Sequence, residues 1–151
     1  MKLHNFTVLN TRDIKEVKNK IKLQYGDCPE LDYVFLISRK DKIYIVNKDV
    51  FSIDLDKVRI NSLGIYFAEL KNNEIRLSIE GSQLVGPKAV ENVFELSDSE
   101  IGEWLHGYDI TKEGEVPGFI IIKNNSDYYG VGKLKNGKIS NYVSKVRRLK
   151  G

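Results

Sequence analysis

The chain has 151 residues, 41% hydrophobic and 30% charged, with 24 Lys and Arg against 21 Asp and Glu for a net charge of +3. Those values suit one folded domain or two small ones packed together, and they exclude a disordered chain. A single cysteine, Cys28, excludes an internal disulfide and a thiolate zinc site, and His4 and His106 are too few to build a metal centre.

No apolar run approaches the roughly 20 residues of a membrane-spanning helix. Polar residues interrupt the opening MKLHNFTVLNTRD before a signal-peptide core forms, so the expected location is the cytoplasm, with no membrane partner. Asn10 or Thr11 caps a helix running to about Tyr25, with Ile14, Val17 and Ile21 on one face and Gly26 as its left-handed terminator. Lys15, Lys18, Lys20 and Lys22 occupy the other face, and Asp13 and Glu16 dilute that charge, which favours a solvated face over an RNA-binding one. Cys28 follows in a loop before Pro29 with no neighbouring base, so it is not expected to be a nucleophile.

Residues 33–38 and 43–46 are β-prone runs around a charged turn and predict a hairpin. Asn47 and Asp49 are expected to open a short helical turn towards Ile53. A second hairpin is predicted from 63–70 and 74–79, with Lys71, Asn72 and Asn73 in its turn. The stretch EGSQLVGP at 80–87 is glycine-containing and reads either as a loop touching a ligand or as the connection between two lobes. It lacks the Lys-Ser/Thr of a phosphate-binding loop. The lobe boundary is placed at Pro87: an N-terminal α/β lobe at 1–87 and a second lobe at 88–151.

In the second lobe, 93–96 predicts a short strand. Ser97 and Glu100 form an S-x-x-E capping box at the start of a helix carrying Ile101, Trp104 and Leu105 and ended by Gly107. Trp104 beside two aliphatics is expected in the core rather than against a base. Between 91 and 116 there are eight acids and one Lys, a net of −7. After the apolar run at 119–122, residues 129–134 and 138–143 predict a hairpin closed by Asn136-Gly137, a type I′ signal. Alternation places Tyr129, Val131 and Lys133 on one face and Gly130, Gly132 and Leu134 on the other. The tail at 145–148 is expected to be a strand with Val146 pointing inward. From Lys123 onward there are eight Lys or Arg against Asp127 alone, a net of +7, and the remaining residues carry 16 basic against 20 acidic, a net of −4. That asymmetry is the footprint of a polyanion-binding surface. Pairing of this basic segment with the acidic one before it is the competing explanation.

Three stretches together carry a family resemblance: RLSIEGSQLVG at 76–86, EWLHGYDI at 103–110, and the segment from Gly118, with GVGKL at 130–134, NGK at 136–138, NY at 141–142 and KVRR at 145–148. The last of these resembles the C-terminal PUA-type domain of rRNA cytosine-5 methyltransferases of the NOL1/NOP2/Sun group. The overall plan is similar to Nip7-type ribosome biogenesis factors. The resemblance implies an α+β chain: an N-terminal α/β lobe with an antiparallel sheet, followed by a small PUA-like β-pseudobarrel. It also implies RNA binding beside the segment 97–110 and the last strand.

The methyltransferases' Pro-Cys or Thr-Cys catalytic pair is absent, because Cys28 precedes a proline instead of following one. The expectation is therefore a non-catalytic protein with no cofactor, acting in rRNA or tRNA maturation or ribosome biogenesis. Its expected partners are rRNA or tRNA, with an RNA-modifying enzyme or a pre-ribosomal protein as a second partner. The expected RNA-binding residues are Lys133, Lys135, Lys138, Tyr142, Lys145, Arg147, Arg148 and Lys150. The alternative is a protein-interaction adaptor that uses the acidic segment 91–116, with the basic tail docked on the chain itself.

Overall fold

An amphipathic helix laid on an antiparallel sheet forms the first half of the computed structural model, which describes residues 2–3, 5–49 and 64–150. The sheet runs in the order β1 (Lys2–Leu3), β2 (Phe6–Val8), β3 (Val34–Ser38), β4 (Lys42–Val46), β5 (Ile65–Lys71) and β6 (Glu74–Leu77), each strand antiparallel to the next. Both predicted hairpins are present. Asp41, Asn72 and Asn73 take positive φ in their turns, a conformation that Asn and Asp tolerate best among non-glycine residues. Helix α1 (Thr11–Tyr25) enters between β2 and β3. The Asn10 side chain accepts from the Asp13 backbone N–H at its start, and Gly26 ends it at φ 84°. Val17, Ile21 and Tyr25 are its buried face. The turn expected from Asn47 towards Ile53 lies outside the described residues beyond Asp49.

The stretch at 80–87 is not a loop. Ser78 accepts from the Gly81 N–H at 2.9 Å and caps helix α2 (Ile79–Val85), which tightens into a 3-10 turn at Gly86–Lys88. Its glycines serve packing. A Cβ on Gly81 would lie 2.1 Å from the carbonyl oxygen of Phe67 on β5, and one on Gly86 would lie 2.3 Å from the Tyr128 ring.

The second sheet runs in the order β7 (Val93–Glu95), β9 (Ile120–Asn124), β10 (Asp127–Lys135), β11 (Lys138–Asn141) and β8 (Ile110–Thr111), with β7 parallel to β9 and the other pairs antiparallel. Helix α3 (Asp98–Leu105) packs against it. Both halves of the capping box form: the Glu100 N–H donates to the Ser97 hydroxyl at 3.2 Å, and the Ser97 N–H to Glu100 Oε1 at 2.9 Å. Asn136 and Gly137 both take positive φ in the β10–β11 turn, as the sequence predicted.

Two expectations are corrected here. A bulge in β10 between Tyr128 and Val131 displaces Tyr129 from the face of Val131 and Lys133. Gly130 takes φ 87° inside that bulge, and its N–H donates to the buried Ser82 hydroxyl of α2 at 2.9 Å. Tyr129 consequently packs with the core of the second lobe, whereas Val131 joins the other core. The tail is not a strand: β11 stops at Asn141, whose side chain accepts from the Val143 N–H, and Lys145–Arg147 form a 3-10 turn. Val146 is 90% exposed rather than inward.

One core unites α1 and the inner face of the first sheet (Phe35, Ile43, Ile45, Phe67, Ile75) with Phe119, Ile121 and Val131 of the second sheet. A smaller core gathers Leu96, Trp104, Ile110, Ile120, Ile122, Leu134, Ile139 and Val143 between the second sheet and α3, with Ile79 of α2 packed against it.

Candidate nucleic-acid interface

The expected RNA-binding residues fall into two groups. The first lies at the tail. Asn141 ties the end of β11 to α3 by donating to the carbonyls of Trp104 and Tyr108, and the Leu149 N–H donates to the Leu105 carbonyl at 2.8 Å, so the 3-10 turn is held at both ends. Lys145 and Lys150 project into solvent with no ion pair among the described residues. Arg147 pairs with Glu80 on α2. The Arg148 guanidinium donates through Nε to the Val143 carbonyl at 3.1 Å, and its side chain fills the space over Gly107 that a Cβ would occupy. Tyr142 is half-buried: its ring meets Phe119 edge-on at 5.1 Å, and the Arg76 guanidinium lies 5.7 Å from its centre.

The second group follows the β10–β11 hairpin. Lys135 is exposed. Lys133 lies 4.6 Å above the Phe119 ring centre and 3.1 Å from Glu74. Lys133 and Lys135 share an open depression with residues 115–118. Lys138 points elsewhere, towards Asp109 at 3.3 Å.

The acidic segment thus meets the basic one through Asp109. Arg147 has Glu80 as its partner rather than Glu100, Glu103 or Glu113. These ion pairs are part-exposed, with side-chain accessibilities of 28–52% across Lys133–Glu74, Lys138–Asp109 and Arg147–Glu80. Such pairs are worth about 0–1 kcal/mol, so a phosphate can replace the carboxylate at little cost.

Sequence reasoning missed that Arg147 and Tyr142 share a crevice with Tyr66 and Arg76 of the first sheet. Arg76 stood inside the first of the three family-like stretches, which was the available signal. Tyr66 had none. Among the described residues no group of three His, Cys, Asp or Glu is gathered so as to hold a metal ion.

Cys28 is half-buried, with Sγ 3.5 Å from the Pro29 carbonyl. Burial pushes its thiol pKa up, Lys18 opposes the shift and Asp27 reinforces it. The raised pKa leaves less thiolate at neutral pH than in a free cysteine. Alkylation by iodoacetamide at pH 7 is accordingly expected to run slower than for free cysteine, and Cys28→Ala to leave RNA affinity unchanged. Alkylation faster than free cysteine would reveal an activating group.

An α+β chain with a capped helix, a bulged strand and a mixed second sheet is the architecture of a PUA-domain protein. Over 94% of this chain it superposes on 97% of a solved structure described as a conserved PUA domain protein from Thermoplasma acidophilum, with a TM-score of 0.62 and 9% identity. Residues 91–149 match the family model described as the methyltransferase RsmF PUA domain. The chain is also 26% identical over 137 residues to ribosomal RNA small subunit methyltransferase F of Aeromonas salmonicida (strain A449), an alignment that covers 90% of this chain and 28% of that protein. The chain therefore spans little more than a quarter of that relative's length. Its fold is thus that of a PUA-domain protein, and residues 91–149 resemble the PUA domain of an rRNA methyltransferase.

Proposed function

We propose that this chain is an RNA-binding protein of rRNA maturation that holds RNA on its PUA lobe through the basic tail and performs no methyl transfer of its own. The observation that carries this reading is the coincidence of the PUA-type lobe with the +7 segment from Lys123 onward. Lysines and arginines neutralise phosphates and release counterions, which supplies sequence-independent affinity. Lys145 and Lys150 are free to do this at once, and Arg147 can exchange Glu80 for a phosphate. Lys133, Lys135 and Lys138 extend the charged surface along the hairpin, and Tyr142 supports it from beneath. Division into a lobe at 1–87 and a PUA lobe at 88–151 is part of this reading.

Replacing Lys145, Arg147 and Arg148 together with Ala is expected to weaken binding across RNA sequences alike. The log–log salt slope should flatten by about 2–3 units, near one per lost phosphate contact. Thermal stability is expected to fall by no more than about 1–2 kcal/mol, since the Arg147–Glu80 pair is part-exposed and Arg148 gives up one hydrogen bond, to the Val143 carbonyl. Affinity and thermal midpoint are to be measured on the same variant. A lowered midpoint with unchanged RNA affinity would remove the tail from the interface.

A further inference from the structure

The face of the first sheet turned away from α1 carries a small hydrophobic cluster, in which Phe6, Val8, Val34 and Tyr44 pack against buried Leu36 and Val46, and a line of rings and cations runs on from it. Ile43 and Ile45 of β4 and Phe67 of β5 point into the shared core, so alternation sends Lys42, Tyr44 and Tyr66 to the opposite face. Tyr44 and Tyr66 are direct cross-strand partners, with ring centres 5.6 Å apart at 42°. The edge of the Phe6–Tyr44 pair continues the row at 5.5 Å, and the Lys42 ammonium stands 5.5 Å from the Tyr66 ring centre. All four side chains are half-buried, Phe6 and Tyr44 packing against buried Leu36 and Val46.

The row does not stop at the edge of the sheet. Arg76 on β6 pairs with Glu69 and stands over the Tyr142 ring. Tyr66, Arg76, Tyr142 and Arg147 line one narrow crevice between the lobes of about 40 Å³, enough for water and too small for a nucleobase. A ligand following this line must therefore lie over the crevice, on the rings and cations.

Cross-strand aromatic pairs stabilise sheets, and that alone would account for two touching rings. It does not account for a line of rings interleaved with Lys42, Arg76 and Arg147 that leads to the phosphate-binding tail. Aromatic faces with flanking cations are what unpaired bases and their phosphates require.

We propose that this aromatic row is a second RNA site, a stacking platform for a single-stranded segment that leaves the tail of the PUA lobe and crosses Arg76 onto Tyr66 and Tyr44. The proposal rests on the RNA-binding reading given above and adds to it the strandedness of the ligand and a role for the N-terminal lobe. The tail supplies the charge, and the platform holds the bases of the nucleotides beyond it. Binding through the platform is tolerant of sequence, because every base has a π-face.

The test uses the full chain with fluorescein-labelled oligouridylates of about 5 and 15 nucleotides, spanning the usual range of site sizes for stacking grooves. Tyr44→Ala with Tyr66→Ala is expected to weaken the longer strand by about 5- to 150-fold for each ring engaged. The shorter strand, which the tail alone can hold, should be affected much less, and the salt slope should stay where it was, because the rings neutralise no phosphate. Tyr44→Phe with Tyr66→Phe keeps the π-faces and should bind as the parent does. If the alanine variant is unstable, ultraviolet crosslinking of the unaltered protein to a 4-thiouridine strand decides the matter, with adducts expected within β4 or β5. Equal binding of the longer strand by parent and alanine variant, or adducts confined to the second lobe, would overturn the platform and leave the tail intact. Binding of neither strand by the unaltered protein would overturn the RNA-binding reading and the platform with it.

Discussion

Trp104→Ala is expected to cost about 3–5 kcal/mol, the usual range for removing a large aromatic from a packed core. The Trp104 side chain is fully buried among Leu96, Ile110, Ile120 and Ile139. Its indole N–H donates to the Tyr129 carbonyl at 2.8 Å, at the bulge of β10. The ring also fills the space beside Gly132, where a Cβ would come within 2.8 Å of it. Truncation would leave a cavity and an unpaired carbonyl at once. Against a typical domain stability of about 5–15 kcal/mol, the loss is a large fraction of the whole. Denaturant unfolding followed by circular dichroism is the suitable measurement, because the substitution removes the chain's single tryptophan. A loss below about 1 kcal/mol would show that the second lobe does not depend on this ring.

Gly81→Ala is expected to destabilise by about 1–3 kcal/mol or more, the range for forcing extra atoms into a packed site. The added methyl would meet a backbone carbonyl, that of Phe67, at 2.1 Å, and a backbone atom cannot rotate away as a side chain can. Helix α2 would have to lift from β5. The Ser82 hydroxyl, which donates to the Ile79 carbonyl at 2.6 Å and accepts from Gly130, would move with it and release the bulge. Gly102→Ala is the internal comparison. Gly102 lies within α3 with nothing within 4 Å of the position a Cβ would take, so the same change there should stabilise by up to about 1 kcal/mol. Equal effects at the two positions would argue against close backbone packing as the reason for Gly81.

Features written within a few residues of each other were legible in the sequence. The cap of α1 by Asn10, its stop at Gly26, the Ser97–Glu100 box and the Asn136-Gly137 turn depend on local hydrogen bonds or on φ, and the structure contains all four. Helix α2 was not legible because Gly81 and Gly86 look like turn formers. Their actual cause, contact with Phe67 and Tyr128, is distant in the chain. The tail was misread as a strand because the Asn141 side chain, rather than a neighbouring strand, takes the Val143 N–H. The same limit applies to the site. Eight residues could be chosen by charge and position, but the partners of Lys133 and Arg147, Glu74 and Glu80, stand 59 and 67 residues away. Nothing local announces them. The cross-strand pairing of Tyr44 with Tyr66 likewise joins two hairpins that composition alone leaves separate.

The sharing of one core by both sheets has a consequence for how this domain can be borrowed. The segment that matches the PUA family model begins at residue 91, yet Phe119, Ile121 and Val131 within it bury themselves against Val17, Ile21 and Phe35, which lie outside it. Gln24 of α1 further clasps the carbonyls of Pro117 and Phe119, and Asn92 returns the clasp by donating to the Gln24 carbonyl. A graft of 91–149 onto another protein would therefore carry an apolar underside with no lining. The portable unit includes the N-terminal sheet and helix as its upholstery, and a chimera that keeps them inherits a finished surface.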